Sequence, residues 1–240
     1  LSAVTSGNRD EFLLLAGNVA GAKYFVALDS DTDPNADTIK KLVGILEHPL
    51  AQPVYNEDCT CVIDGYGIAA PRMEINLQSA NKNLFSRIIS GMGGVEVYGN
   101  SSFSIYQDLY GDGIFAGKGA INIEAFEKVI QGKFPDNRIL SHDILEGSFL
   151  RTAYASDICF TDGTPKSLLS YMTRGHRWVR GDVQNIPYLW KNIKTEKGTI
   201  KNPLSGLSKY KIFDNLRRAI TPISVLRLYL TAVFWGAWPV

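Results

Sequence analysis

The chain has 240 residues, 45% of them hydrophobic, and a formal net charge of +1. That length suits one large α/β domain, or a domain with an appendage. The near-neutral balance argues against a nucleic-acid partner held by bulk positive charge. Cys59, Cys61 and Cys159 lack zinc-site spacing, and with only three histidines a Cys/His metal centre is not expected. The thiols read as reduced, cytosolic and structural. Leu1–Asp10 has neither the basic start nor the apolar run of a secretory signal, and no Met opens the chain, so it is expected to begin within a longer protein.

Asp10–Ala16 reads as part of a short helix ended by Gly17. Tyr24–Leu28 then reads as a buried strand and runs into Asp29-Ser30-Asp31-Thr32-Asp33. Carboxylates at alternate positions stand there at the C-terminal edge of a strand, where open α/β sheets bind ligands. Such crowded charges repel, and a hard divalent ion carrying a phosphorylated substrate would hold them together. A plainer role is open to the same residues, because Asp33-Pro34 suits the N-cap and first turn of a following helix. An EF-hand loop starting at Asp29 needs Gly and Glu where Pro34 and Lys40 stand, which removes it. A haloacid-dehalogenase-type phosphatase wants Thr or Val where Asp33 stands. The Asp-x-Asp of nucleotide-sugar glycosyltransferases, which holds a divalent ion against the donor diphosphate, is met without departure by Asp29-Ser30-Asp31.

A helix is expected from about Asn35 to Glu47, with Ile39, Leu42, Val43 and Leu46 on one face. Val62–Ala70 reads as a strand ending at Pro71, and Leu84–Ser90 as a helix followed by a flexible Gly91-Met92-Gly93-Gly94. Asp108 and Asp112 read as loop carboxylates. Ile114–Ala116 suggests a short strand before Gly117-Lys118-Gly119, which is too short for a Walker loop but lets substrate or another strand approach the backbone. A helix from Asn122 to Gln131 closes at Gly132. Ser141-His142-Asp143 precedes an amphipathic helix read as Ile144–Tyr154, and a helix N-terminus stabilises a carboxylate at Asp143. Helix cap and general base are both open there, and the string alone favours the cap. Ile158–Phe160 reads as the terminal strand.

Leu168–Trp190 reads as helical or mixed and gathers three arginines and a histidine around Trp178. Arg177 and Arg180 share a helical face and could grip a diphosphate, or equally lipid phosphates. Lys191–Arg218 holds eight basic residues against Glu196 and Asp214. Ala219–Val240 is apolar except for Arg227, with Trp235 and Trp238, and has the ~20 residues a membrane span needs. Its basic flank places the preceding domain in the cytoplasm. A helix lying on the bilayer is the other reading, favoured by Arg227 and Pro222. The expected division is a domain over 1–190, a basic juxtamembrane segment over 191–218 and the start of a membrane region over 219–240. Strand–helix alternation without a repeat points to an α/β sheet.

Asp29-Ser30-Asp31, His142-Asp143 and Arg174-Gly175-His176-Arg177-Trp178, in that order and before a basic membrane-proximal stretch, resemble the processive inverting synthases of cellulose and hyaluronan type. That family reads Asp-x-Asp, Glu-Asp and Gln-x-x-Arg-Trp, so His142 and Arg174 are departures. Glu47-His48-Pro49-Leu50, Gly65-Tyr66-Gly67-Ile68 with Pro71-Arg72, and Tyr106-Gln107-Asp108-Leu109-Tyr110-Gly111 narrow the resemblance. So do Gly117-Lys118-Gly119, Leu140-Ser141-His142-Asp143 with Glu146-Gly147, and His176-Arg177-Trp178 with Arg180-Gly181-Asp182. Over about Tyr24–Trp190 the chain resembles the glycosyltransferase domain of the cyclic β-1,2-glucan synthase family. The resemblance implies a GT-A fold with a mixed, mostly parallel sheet, followed by a membrane-associated helix. It implies UDP-glucose as donor, a β-1,2-glucan acceptor primed on the protein, and other domains of a larger bacterial inner-membrane enzyme with this domain on the cytoplasmic side. It assigns Asp29 and Asp31 to Mg²⁺ or Mn²⁺, Asp143 to general base, and His176, Arg177, Trp178, Arg180, Gly117 and Lys118 to donor diphosphate and acceptor.

Overall fold

The computed structural model describes residues 21–90, 103–135, 138–196 and 198–235. The readings at Asp10–Gly17 and Gly91–Gly94 lie outside these. A five-stranded mixed sheet organises the fold, in the order β1 (Tyr24–Ala27), β6 (Gly119–Asn122), β5 (Ile68–Ile75), β7 (Thr152–Asp162), β2 (Thr32–Pro34). Strands β1, β5 and β7 share one direction, while β6 and β2 run against them. Two small hairpins stand apart, β3 (Val54–Tyr55) with β4 (Val62–Asp64) and β8 (Asn192–Thr195) with β9 (Gly198–Lys201).

Helices cover both faces, as the period-two alternation of β5 dictates. Ala69 and Met73 face α1 (Thr38–Glu47), whose Leu42 and Leu46 are fully buried among Ala120, Ala155 and Phe160. Ile68 and Ala70 face the opposite layer, α5 (Ile123–Ile130) and α6 (Asp143–Leu150), which contribute Val129, Ile130, Leu145 and Phe149. Between them come the short helices α2 (Leu77–Ala80), α3 (Leu84–Ser90) and α4 (Ile105–Tyr110). Helix α5 starts as expected, the Asn122 side chain accepting the Ala125 N–H at 3.0 Å. After β7 come α7 (Leu168–Gln184) and the long α8 (Gly206–Phe234).

Several boundaries differ from the sequence reading. Strand β1 is half-buried, because only β6 flanks it among the described residues. Asp33-Pro34 belongs to edge strand β2, which tolerates a residue without an N–H, and α1 begins later, with Asp37 at the N-cap position but making no side-chain cap bond. The Val62–Ala70 run breaks at Gly65 (φ 65°), and β5 continues through Pro71 because the ladder shifts register between Pro71 and Arg72. Ile114–Ala116 forms no strand. Helix α6 stops at Leu150, where Arg151 takes φ 56° and its guanidinium bonds the Gly65 and Gly111 carbonyls at 3.1 and 2.8 Å. It is not amphipathic, since Ile144–Leu150 is buried throughout. The expected Ile158–Phe160 strand is the far half of eleven-residue β7.

The segment 191–218 sends Ile193, Leu204 and Ile212 into the core. Residues 220–231 of α8 are all exposed, and among the described residues no helix is long and apolar enough to cross a membrane. Residues 236–240 of the expected membrane segment lie outside the description.

The expected close approach at Gly117-Lys118-Gly119 is present. Gly119 has φ 148°, and a Cβ there would press into the Ala69 carbonyl oxygen of neighbouring β5. Gly119→Ala is therefore expected to cost on the order of 3 kcal/mol through backbone strain and clash. A melting temperature matching the unsubstituted protein would contradict that contact.

Candidate active site

The C-terminal end of β1, the loop before β6, the start of α6 and one stripe of α7 meet around a cavity of about 150 Å³. Asp29 comes from the first, Gly117 and Lys118 from the second, Asp143 from the third, and Trp178 and Asp182 from the fourth. Asn215 and Arg218 of α8 also line the cavity. Gly117 (φ 85°) is required here, because a Cβ would stand 2.9 Å from Asp143 Oδ2. The backbone thus opens a place for the carboxylate.

Asp143 is the first helical residue, and His142 holds the cap position without a side-chain cap bond. The expected cap role is not the one adopted. A helix N-terminus alone would lower the Asp143 pKa. Burial overrides it, and with the charges of Glu146 and Asp29 it pushes the carboxyl up to about 6, against His142 and Lys118. His142 Nδ1 lies 2.8 Å from Glu146 Oε1, and that hydrogen bond raises the imidazole above its ordinary value.

The acidic pair at β1 has protein counter-charges. Lys118 Nζ stands 3.2 Å from Asp29 Oδ2 and 2.6 Å from Asp162 Oδ2, while the Thr32 hydroxyl donates to Asp162 Oδ1 at 2.6 Å. Burial pulls the Lys118 ammonium down, but its bond to Asp162 and the charges of Asp162 and Asp29 hold it above its ordinary value. Arg174 Nη2 lies 3.0 Å from Asp31 Oδ2. Asp29 and Asp31 remain exposed, oxygen-only donors, a set suited to a hard divalent ion. Among the described residues, His142, Asp143 and Glu146 form a group of potential ligands within 4.8 Å of one another, two of which, His142 and Glu146, already hydrogen-bond to each other.

No family model matches the chain. It is 37% identical over 229 residues, 94% of its length, to the cyclic β-(1,2)-glucan synthase NdvB of Rhizobium meliloti (strain 1021). The chain is a glucan synthase-related domain. It spans 8% of that relative's length.

Of the residues expected to act in this glucan synthase-related domain, the cavity brings together Asp29, Gly117, Lys118, Asp143 and Trp178. Asp31 stands just outside, on a second groove it shares with Arg174. His176, Arg177 and Arg180 are exposed on α7 and do not line the cavity. Their stripe is turned away because Trp178 and Asp182, four apart, and Gly181 face inward. A Cβ on Gly181 would press into Ser141. Arg174 is thus the α7 arginine beside the acidic pair, at the very position where the resemblance departs from Gln. Sequence reasoning missed Asp162, Asp182, Asn215 and Arg218. Their signal is tertiary, except that Asp182 falls one turn after Trp178.

Proposed function

We propose that this domain transfers glucose from UDP-glucose, with inversion, to a growing β-1,2-glucan. The observation that carries the reading is Asp143, a half-buried carboxyl pushed up to about 6, sharing one cavity with Asp29, Lys118 and Trp178. A group with that pKa accepts a proton near neutral pH and releases it readily, as a general base must. Asp143 takes the proton from the acceptor glucose O2 as that oxygen forms a bond to donor C1. The C1–O bond to UDP breaks with its electron pair leaving on the diphosphate. A single displacement needs no enzyme nucleophile.

Asp29 and Asp31 would hold Mg²⁺ or Mn²⁺, which supplies positive charge to the leaving diphosphate when bound. Lys118, fixed by Asp162, keeps a positive charge at the same edge of the cavity. Trp178 offers an aromatic face to the acceptor sugar. The exposed apolar run of α8 over 220–231, after a basic segment, supports a place against the cytoplasmic face of a bacterial inner membrane, within a larger parent chain.

The test is UDP-glucose turnover in membranes carrying the parent-length protein, with Mg²⁺ or Mn²⁺ and then with EDTA, followed by linkage analysis. Metal-dependent 1,2-linked glucan is the expected product, and EDTA is expected to abolish it. Another linkage would move the assignment to a cellulose- or hyaluronan-type synthase. UDP binding without transfer would make the domain a non-catalytic nucleotide-sugar-binding module.

A further inference from the structure

Helix α8 enters the cavity in a way the motifs do not anticipate. Lys211, Asn215 and Arg218 fall at i, i+4 and i+7, one stripe of the helix. The first is an anchor. Buried Lys211 bonds the Asp112 and Gly113 carbonyls, each at 2.7 Å, and so fixes α8 against the chain leading to Ile114–Lys118. Ser208 adds a bond to the Ser148 carbonyl of α6 at 3.4 Å. With its root pinned on both sides of the cavity, the helix holds its next two stripe residues, Asn215 and Arg218, at the cavity wall.

The chemistry of that wall differs from that of the Asp29–Lys118 edge. Trp178 and Asp182 of α7 meet Asn215 and Arg218 of α8 around the same space. An indole face, a carboxylate, an amide and a planar guanidinium together stack on a sugar ring and hydrogen-bond its hydroxyls. The Asn215 Oδ1 is sealed from solvent and accepts no hydrogen bond from the described residues. A buried acceptor left in that state is costly, so a turn of the amide that brings this oxygen into the cavity, where a sugar hydroxyl can donate to it, is favoured.

We infer that Asn215 and Arg218 are acceptor-positioning residues, which hold the terminal glucose of the growing glucan on the α7–α8 wall so that its hydroxyl, rather than water, meets the donor. The assignment rests on the glucosyltransferase reading above. It gives α8 a direct part in the choice between transfer and hydrolysis, beyond any role of its exposed end.

The experiment uses parent-length protein in membranes with UDP-glucose, comparing glucan formed, free glucose released and the UDP-glucose KM. Asn215→Ala and Arg218→Lys are each expected to lower glucan formation about tenfold, the size expected for losing one hydrogen bond to a charged or buried group. The free-glucose share of the UDP-glucose consumed should rise, with the UDP-glucose KM within about twofold of its starting value. Retained saturation by UDP-glucose reports that a variant is folded, and Asn215→Ser replaces Asn215→Ala if that variant does not accumulate. Glucan and free glucose falling together with a raised UDP-glucose KM would overturn the assignment, as would no change in either product. Failure of the unsubstituted protein to consume UDP-glucose would instead overturn the glucosyltransferase reading itself, and this assignment with it.

Discussion

Asp143→Asn is expected to lower glucosyl transfer by about 10²–10⁴-fold while leaving UDP binding in place. The amide keeps the shape of the side chain beside Gly117 but cannot take the acceptor proton. UDP affinity should hold, because Asp29 and Lys118 meet across the cavity edge through an ion pair that does not include Asp143. A pH profile gives a second reading of the same residue. The carboxyl titrates near 6, raised chiefly by burial, and only the deprotonated form is a base. Transfer should therefore rise as pH increases through about 6 and level off above it. At one unit below the pKa about a tenth of the base form remains, so the rate there should be about a tenth of the plateau. The acid limb should be missing from whatever activity survives in Asp143→Asn. Near-normal turnover in that variant would remove Asp143 as the base. A profile flat down to pH 4 would remove the physical ground for choosing it.

What could be read in advance was local. Leu42 and Leu46 mark the buried face of α1, Asn122 marks the start of α5, and the glycines flanking Lys118 mark a close approach. Each is signalled by residue types within a turn or two of chain, even where the partner, as for Gly119 against Ala69, is distant. What could not be read depends on partners far away in sequence. Arg151 ends α6 at a positive φ because carbonyls some forty and eighty-six residues back accept its guanidinium. Lys118 was legible as a candidate, but its holder Asp162 lies forty-four residues on. The α7 arginines show the limit most plainly. Helical spacing correctly puts Arg177 and Arg180 on one stripe, yet periodicity fixes only relative angles around a helix. Which stripe turns inward is decided by Gly181 fitting against Ser141, and that left Trp178 inside and both arginines in solvent. The basic count over 191–218 misled for a related reason. It treated Lys211 as one more surface charge, whereas the fold buries it.

Lys211→Ala is expected to be the most damaging single change to stability in α8, and it links fold to site. The ammonium and the Asp112 carboxylate, 2.9 Å apart, are about 1% and 3% exposed. Burial pulls Lys211 below its ordinary pKa, while Asp112 works against that pull. Asp112 lies in a loop, as expected, but is buried there, and it also accepts the Thr152 N–H at 3.1 Å, which ties the start of β7 to the same point. Removing the lysine leaves a buried carboxylate with that backbone donor, and strips the bonded ammonium from the Asp112 and Gly113 carbonyls. Breaking a buried pair from one side costs about 3–5 kcal/mol, because the abandoned charge keeps its desolvation penalty. Against a typical total of about 5–15 kcal/mol, a fall in Tm of roughly 10 °C is expected. Adding Asp112→Asn to Lys211→Met should recover part of the loss by deleting the stranded charge, though the two carbonyls still lack their donor. Thermal unfolding of the three variants beside the unsubstituted protein reads this directly. If Lys211→Ala melts with the unsubstituted protein, the pair is not what holds α8. The wall carrying Asn215 and Arg218 would then owe its position to Ser208 and the apolar contacts of Ile212 instead.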